Sequence, residues 1–486
     1  MTIKDLEPKT VWNYFHEITQ APRPSKKEGM IIRYIEDVAA KYQIAVKKDK
    51  VGNLLLFKPG TKGYESFPTV ILQAHLDMVC EKNNGVNFNF DKDPIQTIVD
   101  GEWLHANGTT LGADNGIGVA AALAVITSDE IEHGPVECLF TVDEETGLTG
   151  ANALKKGFIT GDILLNLDSE DEGEIFIGCA GGKGTIATFS YNAIPAPTTY
   201  QYFRITVTGL SGGHSGSDIH KGLGNANKIL ARFLYQVQDN YPFSMAEIQG
   251  GNQHNAIPRE ASAVIGTTSG HKEKIRVMLN NFTADIEDEL KHTDPNVKIL
   301  METVDAPEKC FPQTLKRKLI YSLFACPHGV KSMSHEIEGL VETSTNLASV
   351  KMEGSRKIVI VTSQRSSTES AKNAIADQVA SVFRLAGASV KQGDGYPGWA
   401  PNTNSAILKT ALQSYRKLFG KEAKIKAIHA GLECGLFLEK YPQLDMISFG
   451  PTLQNVHSPD ERIEIKTVEL WWRHLLDILK NIPHQG

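Results

Sequence analysis

Short, mostly apolar runs punctuate the first 170 residues of the chain. Residues 69–74 (T-V-I-L-Q-A), 137–142 (E-C-L-F-T-V) and 163–167 (I-L-L-N-L) are brief, rich in branched side chains and followed by polar residues or glycine. That is the pattern of strands buried on both faces. Residues 116–126 (G-I-G-V-A-A-A-L-A-V-I) are apolar almost all round, which predicts a helix lying against a sheet. Such alternation implies an α/β fold with a mostly parallel sheet covered by helices. The carboxyl end repeats the pattern, with helical spacing over 406–419, a strand over 444–449 and a last helix over 467–482. That helix carries Val468, Trp471, Trp472, Leu475, Leu476 and Leu479 on one face and is stopped by Pro483. Its tryptophans read as core, not as a binding platform.

The middle of the chain has a different texture. Strands such as 202–208 and 357–363 alternate polar and apolar residues, as in a sheet with one wet face. Long amphipathic helices follow, 370–386 among them. The expected organisation is a domain made of residues 1–184 and 401–486, interrupted by an inserted α+β domain over 185–400. No fixed period marks an internal duplication. The basic cluster Lys316 to Lys318 reads as a solvated helix face.

A length of 486 residues suits about two to three domains. With 50 basic and 57 acidic residues the net charge is −7, which argues against nucleic acid as a partner. The longest apolar stretch, residues 119–126, falls far short of the roughly 20 residues that span a bilayer, so no membrane partner is expected. Residues 1–9 contain no apolar core of a secretory signal. Six scattered cysteines (Cys80, Cys138, Cys179, Cys310, Cys326, Cys434) form no C-x-x-C pair. Reduced thiols and a cytoplasmic setting are therefore expected.

The candidate chemistry follows the strands. The first runs into His75-Leu76-Asp77, the second into Asp143-Glu144-Glu145-Thr146-Gly147 and the third into Asp168. The last leads through Gly-Pro to His457-Ser458-Pro459-Asp460, and Asp114 lies in Gly112-Ala113-Asp114-Asn115-Gly116 just before the apolar helix. Ligands of open α/β sheets bind outside the carboxyl ends of the strands, so five segments deliver acids and imidazoles to one edge. Singly, each has a plain structural explanation: a loop hydrogen bond for His-x-Asp, a helix N-cap for Asp114, a solvated turn for Glu144 and Glu145. Jointly they do not. Clustered carboxylates repel and must be neutralised by protons or cations, and no lysine or arginine lies within these segments.

Divalent metal is the economical answer. Two imidazoles among several carboxylates suit zinc, with cobalt or manganese as substitutes. Two ions ~3.5–4 Å apart need a shared carboxylate, terminal carboxylates and a histidine on each. Asp114 suits the bridge, His75 and His457 the opposite ends, and Glu145 and Asp168 the remaining positions. Asp77 is then placed to hold the free ring nitrogen of His75. Glu144, not needed for binding, is placed to take a proton from a water between the ions.

Several segments carry a resemblance that spans the chain. They are Gln73-Ala74-His75-Leu76-Asp77, Gly112-Ala113-Asp114-Asn115-Gly116, Glu144-Glu145-Thr146-Gly147, Gly212-Gly213-His214-Ser215-Gly216, Asn255-Ala256-Ile257-Pro258, His429-Ala430-Gly431-Leu432-Glu433 and His457-Ser458-Pro459-Asp460-Glu461. The sequence resembles the dinuclear zinc peptidase family of aminoacylases, glutamate carboxypeptidases and di- and tripeptidases, and within it the branch acting on dipeptides that end in histidine. Asp143 departs from relatives that often carry a small residue there, but displaces no ligand.

The resemblance implies that His75, Asp114 and Asp168 bind one zinc, and Asp114, Glu145 and His457 the other. It makes Asp77 the orienting acid and Glu144 the general base. It also implies that the inserted domain is a lid. His214 would contact the oxyanion, Asn255 the peptide and Arg365 its terminal carboxylate, with Gly431 and Glu433 lining the pocket for the amino end. A homodimer and a small dipeptide substrate, longer peptides being excluded by lid closure, complete the expectation. A same-family deacylase of N-acyl amino acids and an inactive metal-dependent binding protein are the alternatives. A serine hydrolase is disfavoured because no G-x-S-x-G follows a strand.

Overall fold

The computed structural model describes residues 2–354 and 356–482. The chain divides into two compact units: residues 1–178, 399–427 and 432–486 in the first, residues 179–398 and 428–431 in the second. Among the described residues, no helix is long and apolar enough to cross a membrane.

The first unit is built on an eight-stranded sheet. Its order is Ala45–Lys48, Leu54–Lys58, Val136–Thr141, Val70–His75, Ile163–Asn166, Asp445–Ser448, Glu174–Cys179 and Lys424–Ile428. The four central strands, Val136–Thr141 through Asp445–Ser448, are parallel. Leu54–Lys58 and Ala45–Lys48 join antiparallel on one flank, and Glu174–Cys179 pairs antiparallel with Asp445–Ser448 on the other. The sheet is thus mixed, with a parallel centre. The three strands read from apolar runs are buried at every position, because helices cover both faces. Helix Ala113–Thr127 packs on strand Val70–His75 and on helix Lys9–Thr19, and its side chains from Ile117 to Ile126 are buried all round.

The last helix is Ile465–Lys480. Val468, Trp471, Trp472, Leu475 and Leu479 are buried as expected, whereas Leu476 is only partly so. His474 completes the buried face, its Nε2 lying 2.8 Å from the Ala411 carbonyl. Pro483, expected to stop the helix, lies outside the described residues. Five of the six cysteines are buried and Cys80 is half-buried.

The second unit carries a nine-stranded sheet, antiparallel in its pairings. In Gln201–Thr208, Phe203, Ile205 and Val207 enter the core while Arg204, Thr206 and Thr208 stay partly exposed, the one-sided alternation of a sheet with a wet face. Helices Ala226–Asn240, Ser269–Leu290, Gln313–Ala325 and Glu369–Leu385 supply the rest of that core, with Phe233, Phe282, Leu319 and Phe383 at its centre.

One expectation is overturned here. Lys316 is not solvated: only 6% exposed, it donates through Nζ to the Phe243 carbonyl at 2.7 Å and lies 3.9 Å from that ring's centroid. Helical spacing puts it on the face of Leu319 and Ile320, and burial pulls its amine down to about 8. Arg317 and Lys318 are exposed, as expected. Lys316→Ala should therefore destabilise the protein by about 1–3 kcal/mol, and Lys318→Ala by no more than about 0.5 kcal/mol. Urea melts of the two variants make the comparison, and equal midpoints would contradict it.

Candidate metal centre

Strand register brings the site together. His75 stands opposite Thr141 and Gln73 opposite Asn166, while Asn166 also faces Ser448. The four parallel strands therefore end level, and the residues just beyond them meet at one edge. His75 closes its strand. After Thr141 the chain turns through Asp143, whose φ of 51° is left-handed, into the short helix Glu144–Gly147. Asp168 follows Ile163–Asn166 by two residues, and His457, also left-handed at φ 61°, lies in the loop after Asp445–Ser448. A non-glycine residue in this region costs energy that a functional site commonly retains.

Asp114 does not cap its helix. Its φ and ψ of −80° and 111° would suit a cap, but its carboxylate turns toward two imidazoles instead of the following amides. Oδ1 lies 3.0 Å from His75 Nε2, and Oδ2 lies 3.1 Å from His457 Nε2. Asp168 Oδ1 approaches His75 Nε2 at 3.5 Å, and Glu145 Oε2 approaches His457 Nε2 at 3.1 Å. Two triads result, His75–Asp114–Asp168 and Asp114–Glu145–His457, with the ligand atoms of each within 4.8 Å of one another. Tetrahedral zinc with bonds of 2.0–2.2 Å holds its ligands about 3.4 Å apart, so these spacings fit an ion. A third grouping, His75–Glu144–Glu145, meets the same distance limit.

The electrostatics fit as well. Burial raises the Asp168 carboxyl to about 6 against the pull of His75. Burial, with Asp168, Glu433 and Glu145 nearby, pushes Glu144 well above the carboxylate range. Asp114 is held well below it, both histidines outweighing its burial. Bonds from Asp114 and Glu145 lift His457 to about 11. His75 is also raised, the carboxylates of Asp168, Asp114 and Asp77 outweighing its burial. Imidazoles raised in this way beside carboxylates mark a cluster that demands positive charge. Glu145 Oε1 is buried without a hydrogen-bond partner, which fits an atom that could ligate a cation.

The surrounding shell holds these groups in place. Asp77 Oδ1 lies 3.4 Å from His75 Nδ1, an ion-pair contact short of a well-aligned hydrogen bond. Asp77 also accepts from the Glu144 and Glu145 amides and from Ser25 Oγ. These donors and His75 outweigh burial and hold its carboxyl down to about 2.

Two residues that sequence reasoning left without a role complete the frame. Glu461 accepts from the amides of Leu111, Gly112, Ala113 and Asp114 at 2.7 to 3.3 Å. Arg23, 2% exposed, donates to the carbonyls of Leu76, Asp77 and Gly112. A Cβ at Gly112 would collide with Arg23 and Met78, which explains the glycine. A cation thus does approach the cluster, but it spends its donors on backbone carbonyls. Glu461 lay within a quoted motif; a lone arginine between two prolines carried no signal.

A polar row runs beneath the site. Gln73 Nε2 donates to Glu433 Oε2 at 2.6 Å and Thr141 Oγ1 donates to the same oxygen at 2.7 Å. Asn166 donates to Gln73 Oε1 at 2.5 Å and accepts from Ser448. Glu433 is 1% exposed, its Oε1 has no partner, and burial raises it to about 7. The sequence signal was a glutamine and an asparagine inside otherwise apolar strands.

The remaining candidates lie in the second unit. His214, in the strand Gly213–His214, pairs with Ala256–Ile257. Its Nδ1 accepts from the amides of Gly216 and Ser217 at 3.3 and 3.2 Å, which assigns the proton of the neutral ring to Nε2. Burial, then Arg365, keeps that ring below its ordinary pKa. His214 and Asn255 line one cavity of about 800 Å³. Arg365 is 8% exposed, donates to the Tyr396 hydroxyl at 2.9 Å and has a buried Nε without a partner. Gly431 abuts the Tyr396 ring.

Three comparisons bear on this arrangement. The family model described as "Peptidase family M20/M25/M40" matches residues 71–481. The chain is 41% identical over 481 residues to the cytosol non-specific dipeptidase of Escherichia coli (strain K12), covering 99% of each. It is 42% identical to the solved aminoacylhistidine dipeptidase of Vibrio alginolyticus, covering 100% of this chain and 99% of that one with a TM-score of 0.93. A likeness to aminopeptidase PepT of Bacillus cereus ATCC 10987, at 17% identity, 98% and 99% coverage and a TM-score of 0.58, shows the fold alone.

Removing the carboxylate common to both triads should weaken divalent-metal binding at least about tenfold. Equilibrium dialysis of Asp114→Ala against zinc tests this, and unchanged binding would remove Asp114 as the shared ligand. Because both imidazoles must lose protons to bind, zinc affinity should rise with pH through neutrality and proton release should accompany binding. Calorimetry in buffers of different ionisation enthalpy reads that release; its absence would contradict the assignment of His75 and His457.

Proposed function

The chain belongs to peptidase family M20/M25/M40, and from that premise we propose that it is a metal-dependent dipeptidase that hydrolyses small dipeptides, those ending in histidine among them. The observation that carries this is Asp114, one carboxylate facing two imidazoles, with Asp168 and Glu145 completing a triad on each side. Full-length relatives at 41% and 42% identity, described as dipeptidases, support the substrate class.

In this proposal His75, Asp114 and Asp168 would hold one divalent ion, and Asp114, Glu145 and His457 a second. Zinc is the proposed metal, with cobalt or manganese as substitutes. Bound there, the ions would supply Lewis acidity toward the scissile carbonyl and lower the pKa of an attacking water. Glu144 takes that water's proton as its oxygen attacks the carbonyl carbon. When the C–N bond breaks, Glu144 returns the proton to the leaving amine. A carboxyl pushed upward by burial and neighbouring acids suits a group that must both take and give a proton near neutrality. Asp77 orients His75.

The second unit serves as the lid and supplies the peptide contacts. Nε2–H of His214 donates to the developing oxyanion, a role worth about 3–4 kcal/mol in comparable sites. Asn255 contacts the peptide and Arg365 pairs with its terminal carboxylate, for which a planar guanidinium is suited. Gly431 and Glu433 serve the amino end, Glu433 with its unpartnered Oε1. A cytoplasmic homodimer completes the proposal; sedimentation should give about twice 53.3 kDa.

The test is zinc-loaded protein assayed on a panel of Xaa-His and other dipeptides against N-acetyl amino acids. Preferential cleavage of dipeptides is expected. Preference for N-acetyl amino acids would replace the proposal with a deacylase, and no turnover of either class would replace it with a binding protein. Glu144→Gln should retain zinc and lose about 10²–10⁴ in kcat. Near-normal turnover in that variant would remove Glu144 as the base.

A further inference from the structure

We propose that Tyr396 is a positioning residue that presets Arg365 for the terminal carboxylate of the substrate, and so sets the preference for peptides with a free carboxyl end over their amides; this rests on Arg365 being the carboxylate contact. Arg365 lies on strand Lys357–Ser366, opposite Ser344 on one side and Gly182 on the other. Cross-strand partners share a face of the sheet. Gly182 has no side chain to place there, and the ring of Tyr396 takes that space. A Cβ at Gly182 would stand 2.6 Å from the Tyr396 ring and hydroxyl, and one at Gly431 would stand 2.8 Å from the ring. Real side chains do not approach so closely, so two glycines form the slot that holds the ring.

The backbone is pinned as well. Tyr396 and Gly182 exchange N–H to carbonyl bonds at 2.9 and 3.1 Å, and the buried Lys372 donates to the Tyr396 carbonyl at 2.6 Å. The phenolic oxygen is therefore fixed where it accepts from Arg365 Nη1 at 2.9 Å.

Arg365 itself awaits an anion. It is more than nine-tenths buried, its Nε has no partner, and no ion pair among the described residues includes it. On its other flank Ser344 Oγ lies 2.7 Å from His429 Nε2. Burial and Arg365 push that imidazole down to about 3, so the flank is neutral and offers no competing charge. A guanidinium on a flexible stem must be held in plane to meet a carboxylate through two parallel N–H bonds. One N–H given to a fixed phenol does that in advance and lowers the ordering cost of binding.

The experiment compares kcat/KM for a dipeptide and for its carboxyl-terminal amide in the zinc-loaded protein and in Tyr396→Phe, Gly431→Ala and Arg365→Gln. Tyr396→Phe keeps the ring in its slot and should lower the acid-to-amide preference about tenfold, with the loss in KM. Gly431→Ala, which crowds the ring but keeps the hydroxyl on it, should lower it in the same direction. Arg365→Gln should bring the preference close to one. A Tyr396→Phe preference equal to wild type, with Arg365→Gln collapsed, would overturn the role of Tyr396 and leave Arg365 as the contact. A preference unchanged in Arg365→Gln, or absent from the wild-type protein, would overturn both.

Discussion

Like charges gathered at one edge of a sheet are the constraint on which the first unit depends. Asp114, Glu144, Glu145 and Asp168 converge with Asp77 and Glu433 beside them, in a setting that water screens poorly. Such a group stays together only if positive charge is supplied within contact distance. Arg23 is buried nearby but faces carbonyl oxygens, and the two imidazoles meet part of the demand by holding protons. The same convergence of acids and imidazoles is the basis for proposing that this edge receives dications.

The scaffold around this cluster is rigid in an economical way. Glu461 satisfies four successive amides of the Asp114 turn, and Arg23 ties that turn to the carbonyls after strand Val70–His75. Beneath them, Thr141, Gln73, Asn166 and Ser448 link the four central strands through side chains as well as backbone. Outer groups of this kind fix the orientation of metal ligands and are felt in affinity when removed. In the second unit a comparable economy holds Arg365, with glycines shaping a slot for the tyrosine that aims it.

Much of this was legible in the chain before any coordinates. Strands buried on both faces need continuous apolar residues, so Val70–His75, Val136–Thr141 and Ile163–Asn166 announced themselves, and the acids and histidines just beyond them marked the edge where they meet. The outermost strand on one flank was not legible. Ala45–Lys48 is exposed at all four positions and carries no apolar signal, which is why the sheet read as more uniformly parallel than it is. Arg23, Glu461 and Lys316 escaped for a different reason. Their partners lie far along the chain, Phe243 being 73 positions from Lys316 and Leu111 being 350 from Glu461, and local periodicity holds no record of such contacts. Tyr396 was hidden in the same way, since only register shows that Gly182 stands beside Arg365.

Anomalous diffraction from crystals of the zinc-loaded protein tests the central claim most directly. Two peaks are predicted, one touched by His75 and Asp168, the other by His457 and Glu145, with Asp114 reaching both. Zinc density elsewhere, or a fully loaded protein with these five side chains still bonded only to one another, would contradict it.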